Sequence, residues 1–252
     1  RARIALQQIE DGISDVAAIG RSEDGIVKIG IFSSLASGFL FDLMKTFDEK
    51  HPRVAVELIE GNPSVHVAAI RQLQLDVAFV TGTIEWPDCD TEQLWSERVF
   101  AVLPTEHSLA TRRTLHWSDL ACEDFIVSDA APGQEIHDYL IQRLADLGHH
   151  PNIRPHYVGR DVLLSMVAVG SGLTVVSEAA TGARFPGVTY RPIVDEVLPF
   201  SAIWSRRNDN PACRRFLSLA RILSRTDRRA VRQADAVTSP PASLSQSLDL
   251  SP

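Results

Sequence analysis

Serine, histidine and aspartate are plentiful in this chain, but their spacing builds no reactive constellation. A nucleophile elbow needs Gly-x-Ser-x-Gly, a zinc protease needs His-Glu-x-x-His on one helical face, and a phosphate loop needs Gly-x-x-x-x-Gly-Lys-Ser/Thr. None of these is present, so no enzyme is expected. Gly170-Ser171-Gly172 copies the start of a dinucleotide fingerprint, yet it follows a helical pattern, precedes a strand and has no third glycine; it reads as a helix C-terminal turn. His149-His150 has no third ligand in spacing, so no metal site is expected. Cys89, Cys122 and Cys213 are far apart and odd in number, which argues against a zinc site or disulfide framework and fits a reducing cytoplasm. What remains is polar residues at strand-to-helix junctions. Ser33-Ser34 and Gly133-Gln134 stand where free N–H groups and the positive end of a helix can receive a small anion. The two serines can equally cap their helix, and the roles can coexist.

These junctions depend on the elements around them. Gly25 to Phe32 is a β-branched strand pattern, followed by a helical stripe of Phe39, Leu40, Leu43 and Phe47 that Pro52 ends. Val54 to Ile59, a stripe through Val65, Ala68, Ala69 and Leu73, and Asp76 to Val80 repeat the alternation, which implies right-handed βαβ crossovers. After a polar, Trp-containing stretch comes a strand at Arg98 to Leu103, then a turn-rich segment. The alternation restarts with a strand at Phe125 to Ser128, a helix through Ile136, Leu140, Leu144 and Leu147, a strand at His156 to Val158, a helix at Asp161 to Val169 and a strand at Leu173 to Val176. Two such series predict two lobes with a cleft between them. Val188 to Ile193 and Phe200 to Trp204 add strands, and Asn210-Pro211 opens a last helix through Leu223.

The 252 residues, 44% of them hydrophobic, can bury a substantial core. Acidic residues outnumber basic ones 32 to 25, so this stretch lacks the concentrated positive surface that displaces counterions from DNA. Arg206-Arg207 and Arg214-Arg215 read as a solvated face. No segment has the roughly 20 apolar residues of a membrane helix, no signal-peptide core opens the chain, and its start at Arg1 rather than Met points to truncation. Leu6, Ile9, Ile13 and Val16 follow a 4-3 rhythm, so residues 1–22 read as the end of a longer dimerisation helix, or as an ordinary amphipathic surface helix. Residues 226–252 are poor in apolar residues and are expected to be a disordered tail.

Several segments, in order, resemble the effector-binding region of LysR-type transcriptional regulators over roughly Gly25 to Leu223: GIVKIGIF; FLFDLMKTFDEKHPRVAVELIEGN, with its Phe-x-x-x-His-Pro; LQLDVAFVTG; RVFAVLPTEHSLA; WSDLACEDFIV; and VLLSMVAVGSGLTVVSE. Gln74-Leu75, Ser108 and Ser177 depart from positions where the family favours glycine, proline and proline.

The resemblance implies an α/β fold of two Rossmann-like subdomains joined by two crossover strands, like a type II periplasmic binding protein. Residues 25–103 with 195–225 would form one subdomain and 104–194 the other. It further implies a small, anionic effector in the cleft, contacted by Ser33 and Ser34, by Asn62, Pro63 and Ser64, by Thr81 and Gly82, and by Ser128, Asp129, Gly133 and Gln134. Thr81 stands where some relatives that bind aromatic acids carry a cation, which argues against a dianion. No cofactor is implied. The partners implied are a homodimer or homotetramer, and promoter DNA reached through a domain outside this sequence. The rival reading is a periplasmic solute receptor, since one fold serves both roles.

Overall fold

A computed structural model of the chain describes residues 25–31, 34–82, 85–131 and 133–238, with side chains given as far as residue 226. The stripe of Leu6, Ile9, Ile13 and Val16, and Ser33, lie outside the described residues.

Strand β1 (Gly25–Ile31) alternates with helix α1 (Gly38–Lys50), β2 (Val54–Glu60), α2 (Pro63–Arg71) and β3 (Val77–Thr81). β1 pairs in parallel with both β2 and β3, as the right-handed crossovers require. β4 (Cys89–Pro104) then runs the length of the molecule, followed by the short α3 (Trp117–Leu120), β5 (Asp124–Ser128), α4 (Gly133–Ala145), β6 (Asn152–His156), α5 (Arg160–Ala168) and β7 (Thr174–Ser177). β8 (Val188–Ser205) returns antiparallel to β4 from Pro104 back to Cys89, and α6 (Pro211–Thr238) closes the chain. The strand order is β2-β1-β3-β8-β4-β7, with β5 and β6 paired separately and an isolated bridge from Phe125 to Leu173, just before β7.

Three clusters of buried side chains divide the molecule. The first lies under β1, β3, α1 and α6, around Phe47, Phe79, Trp95 and Phe216. The other two lie on opposite faces of the second lobe's sheet, one around Phe125, Leu140 and Leu144, the other around Ile126, Leu164 and Val167. On β4 the change of core falls between Trp95 and Val99, and on β8 between Ile193 and Phe200. The lobes therefore share two strands, and an expected break at 103/104 falls inside the second-lobe half of β4. Leu198 packs on the first core and on one of the second lobe's. Register shifts on β4 at Gln93/Trp95 and Arg98/Phe100, and a positive φ of 57° at Asp195, bend the pair at this crossing.

Four local expectations are corrected. The polar stretch before Arg98 is strand, because β4 has to span both lobes and only one of its faces is buried there. The two strands read at Val188 to Ile193 and Phe200 to Trp204 are one, for the same reason. β6 lies before residue 157, leaving Tyr157 90% exposed beyond its end. The last helix continues thirteen residues past Arg225, to Thr238, where Arg, Ala and Gln favour helix. At the turn where the family favours glycine, Leu73 takes the left-handed conformation, φ 58°.

Candidate functional site

The ends of β3, β5 and β7, the starts of α4 and α5, and the crossing strands border a partly open cavity of about 460 Å³ between the lobes. That volume lies within the range of small-molecule pockets. Of the residues expected to meet a ligand, Ser34, Thr81, Ser128 and Gly133 line it. Ser34 caps nothing: its hydroxyl accepts the N–H of Ala36 at 3.1 Å, while Ser37 holds the N-cap position of α1 and donates instead to the Ala179 carbonyl at 2.9 Å.

Asn62, Pro63 and Ser64 do not line the cavity. Asn62 is the N-cap of α2, with its Oδ1 buried and unpartnered, and Pro63 fills the first turn, where its missing N–H is harmless. Gly82 is turned into the sheet: its N–H donates to Pro199 and its carbonyl accepts the Ser201 hydroxyl at 2.6 Å. Asp129 uses its N–H to tie β5 to the His156 carbonyl, and the exposed Gln134 donates along α4 to Asp138 at 3.1 Å.

Ser128 shows how the floor is held. Its hydroxyl donates to the Val158 carbonyl at 2.7 Å and accepts the N–H of Ala130 at 3.0 Å, pinning the loop that leads to α4. Ser128→Ala is expected to lose about 1 kcal/mol of stability, measured by urea unfolding, since a half-buried carbonyl and N–H each lose a partner.

Much of the wall was not among the expected residues. Glu135 and Tyr139, one turn apart on α4, line it, as do Arg160 at the start of α5, Thr174 on β7, and Leu198 and Phe200 on β8. Arg160 donates to the Ala180 carbonyl at 3.1 Å. The stripe Ile136, Leu140, Leu144 was legible as a helix face; the polar stripe Glu135, Tyr139, Arg143 beside it has the same four-residue spacing and could have been read as a second, functional edge.

That polar stripe leads from the cavity to the crossing. Arg143 pairs with Glu196 of β8 at 2.7 Å, and the Trp117 indole N–H donates to the other oxygen of the same carboxylate at 2.7 Å. Tyr139 packs edge-on against Trp117, ring centroids 5.8 Å apart, under the Arg143 guanidinium. Burial pushes the Tyr139 hydroxyl well above its ordinary range, with Glu196 adding to the rise, so the phenol stays protonated. Burial also raises the Glu135 carboxyl. On the crossing's other side, buried Glu97 accepts the Trp95 indole N–H at 2.8 Å and the Ala179 N–H at 3.1 Å.

No histidine or cysteine is among the described residues lining the cavity, and the Ser128 hydroxyl is engaged with a carbonyl. Among the described residues no cluster of His, Cys, Asp and Glu could hold a metal ion, and no described helix is long and apolar enough to cross a membrane.

Comparison with known proteins places this geometry. The chain is similar to the HTH-type transcriptional regulator AlsR of Bacillus subtilis (strain 168), 25% identical over 222 residues, covering 86% of this chain and 73% of AlsR. Its fold is that of full-length CbnR complexed with target DNA, at a TM-score of 0.76 and 18% identity over 88% of this chain and 79% of CbnR. It is equally that of the BenM effector binding domain with its effector benzoate, at 0.69 and 20%, over 88% of this chain and 99% of that one. The sequence pattern of the LysR substrate binding domain matches residues 20–223. With two lobes, paired crossing strands and a cleft between them in place, the chain belongs to the LysR substrate binding domain family.

Proposed function

We propose that this chain is the effector-sensing region of a cytoplasmic transcriptional regulator, binding a small molecule in the cavity between its lobes without transforming it. The observation that carries the reading is the partly open cleft of about 460 Å³, walled from both lobes by mostly apolar side chains with a few polar groups among them. BenM, which shares the fold, is an effector-binding protein, and AlsR is a transcriptional regulator; neither is a transport receptor. An acidic group on the effector is supported by the N-termini of α4 and α5 and by the Arg160 guanidinium, all at the cavity wall.

Binding would act by shifting the population of lobe arrangements about the β4/β8 crossing, because a ligand touching both lobes has different affinities for different closures. That shift would reach promoter DNA through oligomer packing and a DNA-binding segment outside this sequence.

A thermal-shift screen of small carboxylates tests this. A ligand at ~100 times its Kd adds about 2.7 kcal/mol of stability. Ala131→Trp, which puts an indole into the cavity from a half-buried loop position, should abolish the stabilisation while leaving the free protein's unfolding midpoint nearly unchanged. Hits that survive in this variant would bind elsewhere and remove the proposal.

A further inference from the structure

The cavity's polar wall is unevenly satisfied. Ser128 has both donor and acceptor partners, and Arg160 has a carbonyl. Three other lining groups carry buried polar atoms with no hydrogen-bond partner: Thr174 Oγ1, Glu135 Oε2 and the Tyr139 hydroxyl. Thr174 is only 1% exposed, at the start of β7, so bulk water does not reach its hydroxyl. Glu135 has its own N–H close by, but no other residue donates to Oε2. The Tyr139 hydroxyl lies beside Glu196 and Arg143, close enough for both to act on it, and is the most nearly satisfied of the three. All three belong to the second lobe, two of them on one edge of α4.

Buried polar groups in native proteins find partners in the great majority of cases, and leaving one bare forfeits its desolvation free energy. The fold uses the Tyr139 ring, packed against Trp117, but leaves the Glu135 and Thr174 oxygens without a partner. A valine at 174 would fit the same strand, and the apolar stripe of α4 already anchors that helix. Their surroundings are otherwise apolar: Leu163, Leu164, Val176 and Leu198 line the same space. A carboxylate accepts hydrogen bonds and donates none, whereas a threonine or tyrosine hydroxyl does both. The one chemistry that meets all three is a ligand hydrogen-bond donor that can also accept.

We infer that Glu135, Thr174 and Tyr139 are the specificity-determining residues of the cleft, selecting an effector that carries a hydroxyl or protonated amine on a mainly apolar skeleton. This rests on the reading of the cavity as an effector site and narrows it: a simple acid with no second polar group is a poor fit. Glu135 sets the donor requirement, and Thr174 and Tyr139 complete it from β7 and from the next turn of α4.

The test is a matched series on one ring: cyclohexanecarboxylate, 3-hydroxycyclohexanecarboxylate and 3-aminocyclohexanecarboxylate, titrated by calorimetry into the whole chain. The hydroxy and amino acids should bind ~10- to 100-fold more tightly than the unsubstituted acid, the range expected when a buried partner is left unpaired. Glu135→Gln should cut the amino acid's advantage to within about threefold. Thr174→Val should weaken both donor-bearing ligands while leaving the free protein as stable or more so, because it removes a hydroxyl that has no partner there. A structural role for Thr174 would instead lower the free protein's stability. Equal affinity across the series, silence of all three probes, or a donor preference that persists in the E135Q/T174V double variant overturns the inference. The carboxylate screen with the Ala131→Trp control can succeed while this series fails, so the two readings fall separately.

Discussion

Replacing Gly133 with alanine should lower stability by about 3 kcal/mol, the upper end of ordinary overpacking, and abolish effector binding. The position looks unremarkable by conformation, since its φ is not among the positive ones. Space decides it. A Cβ added there would lie 1.5 Å from the carbonyl oxygen of Ser128 and 2.5 Å from its carbonyl carbon. Those are backbone atoms of the adjoining strand, so no rotamer change relieves the clash; either α4 retreats or β5 does. Both Gly133 and Ser128 line the cavity, and Glu135 and Tyr139 follow on the same helix, so either movement displaces the binding wall. Urea unfolding gives the stability change, and the thermal-shift response to any ligand that stabilises the parent gives the binding change. A variant within 0.5 kcal/mol of the parent would show that this junction is looser than the contact implies.

Trp95→Ala should have the largest effect on stability, about 4 kcal/mol, in the range for deleting a buried aromatic side chain. Its indole, 4% exposed, stacks on Phe39 at 4.6 Å and on Phe200 at 4.8 Å, and meets Phe79 edge-on at 5.4 Å. It thus ties α1, β3 and β8 to β4 at the place where the chain leaves the first lobe. Its N–H also satisfies Glu97, only 6% exposed, whose other oxygen holds the Ala179 N–H of the second lobe. Trp95→Phe separates the two contributions: it keeps most of the ring and strips the donor, so it should lose about 2 kcal/mol. Equal losses for the Ala and Phe variants would mean that the hydrogen bond dominates and the stacking contributes little.

Fold and site were legible in the sequence to different depths. The βα alternation was readable because the apolar residues of α1 (Phe39, Leu40, Leu43, Phe47) recur at helical spacing between short β-branched runs, and every one of them is buried. β4 was only half readable. Its first part, Cys89 to Glu97, alternates poorly, with Leu94 and Trp95 buried side by side across a register shift, so periodicity failed where the strand bends. Ser34, Thr81, Ser128 and Gly133 line the cavity, as expected of residues at the carboxyl ends of strands in open α/β sheets. Gly82, Asp129 and Gln134 sit at the same kind of junction but are engaged elsewhere, and Asn62, Pro63 and Ser64 lie outside the cavity, which no local rule predicts.

Local propensity and hydrophobic spacing are properties of neighbouring residues, and they determined by themselves that this chain forms two series of strand-helix units. Only the tertiary structure decided that Thr174 on β7, Glu135 on α4 and Phe200 on β8 face one cavity. Those residues are tens of positions apart, and their meeting is set by where β4 and β8 cross from one core to the other. Burial, and with it the raised Glu135 carboxyl and the bare Thr174 hydroxyl, exists only once that crossing has folded.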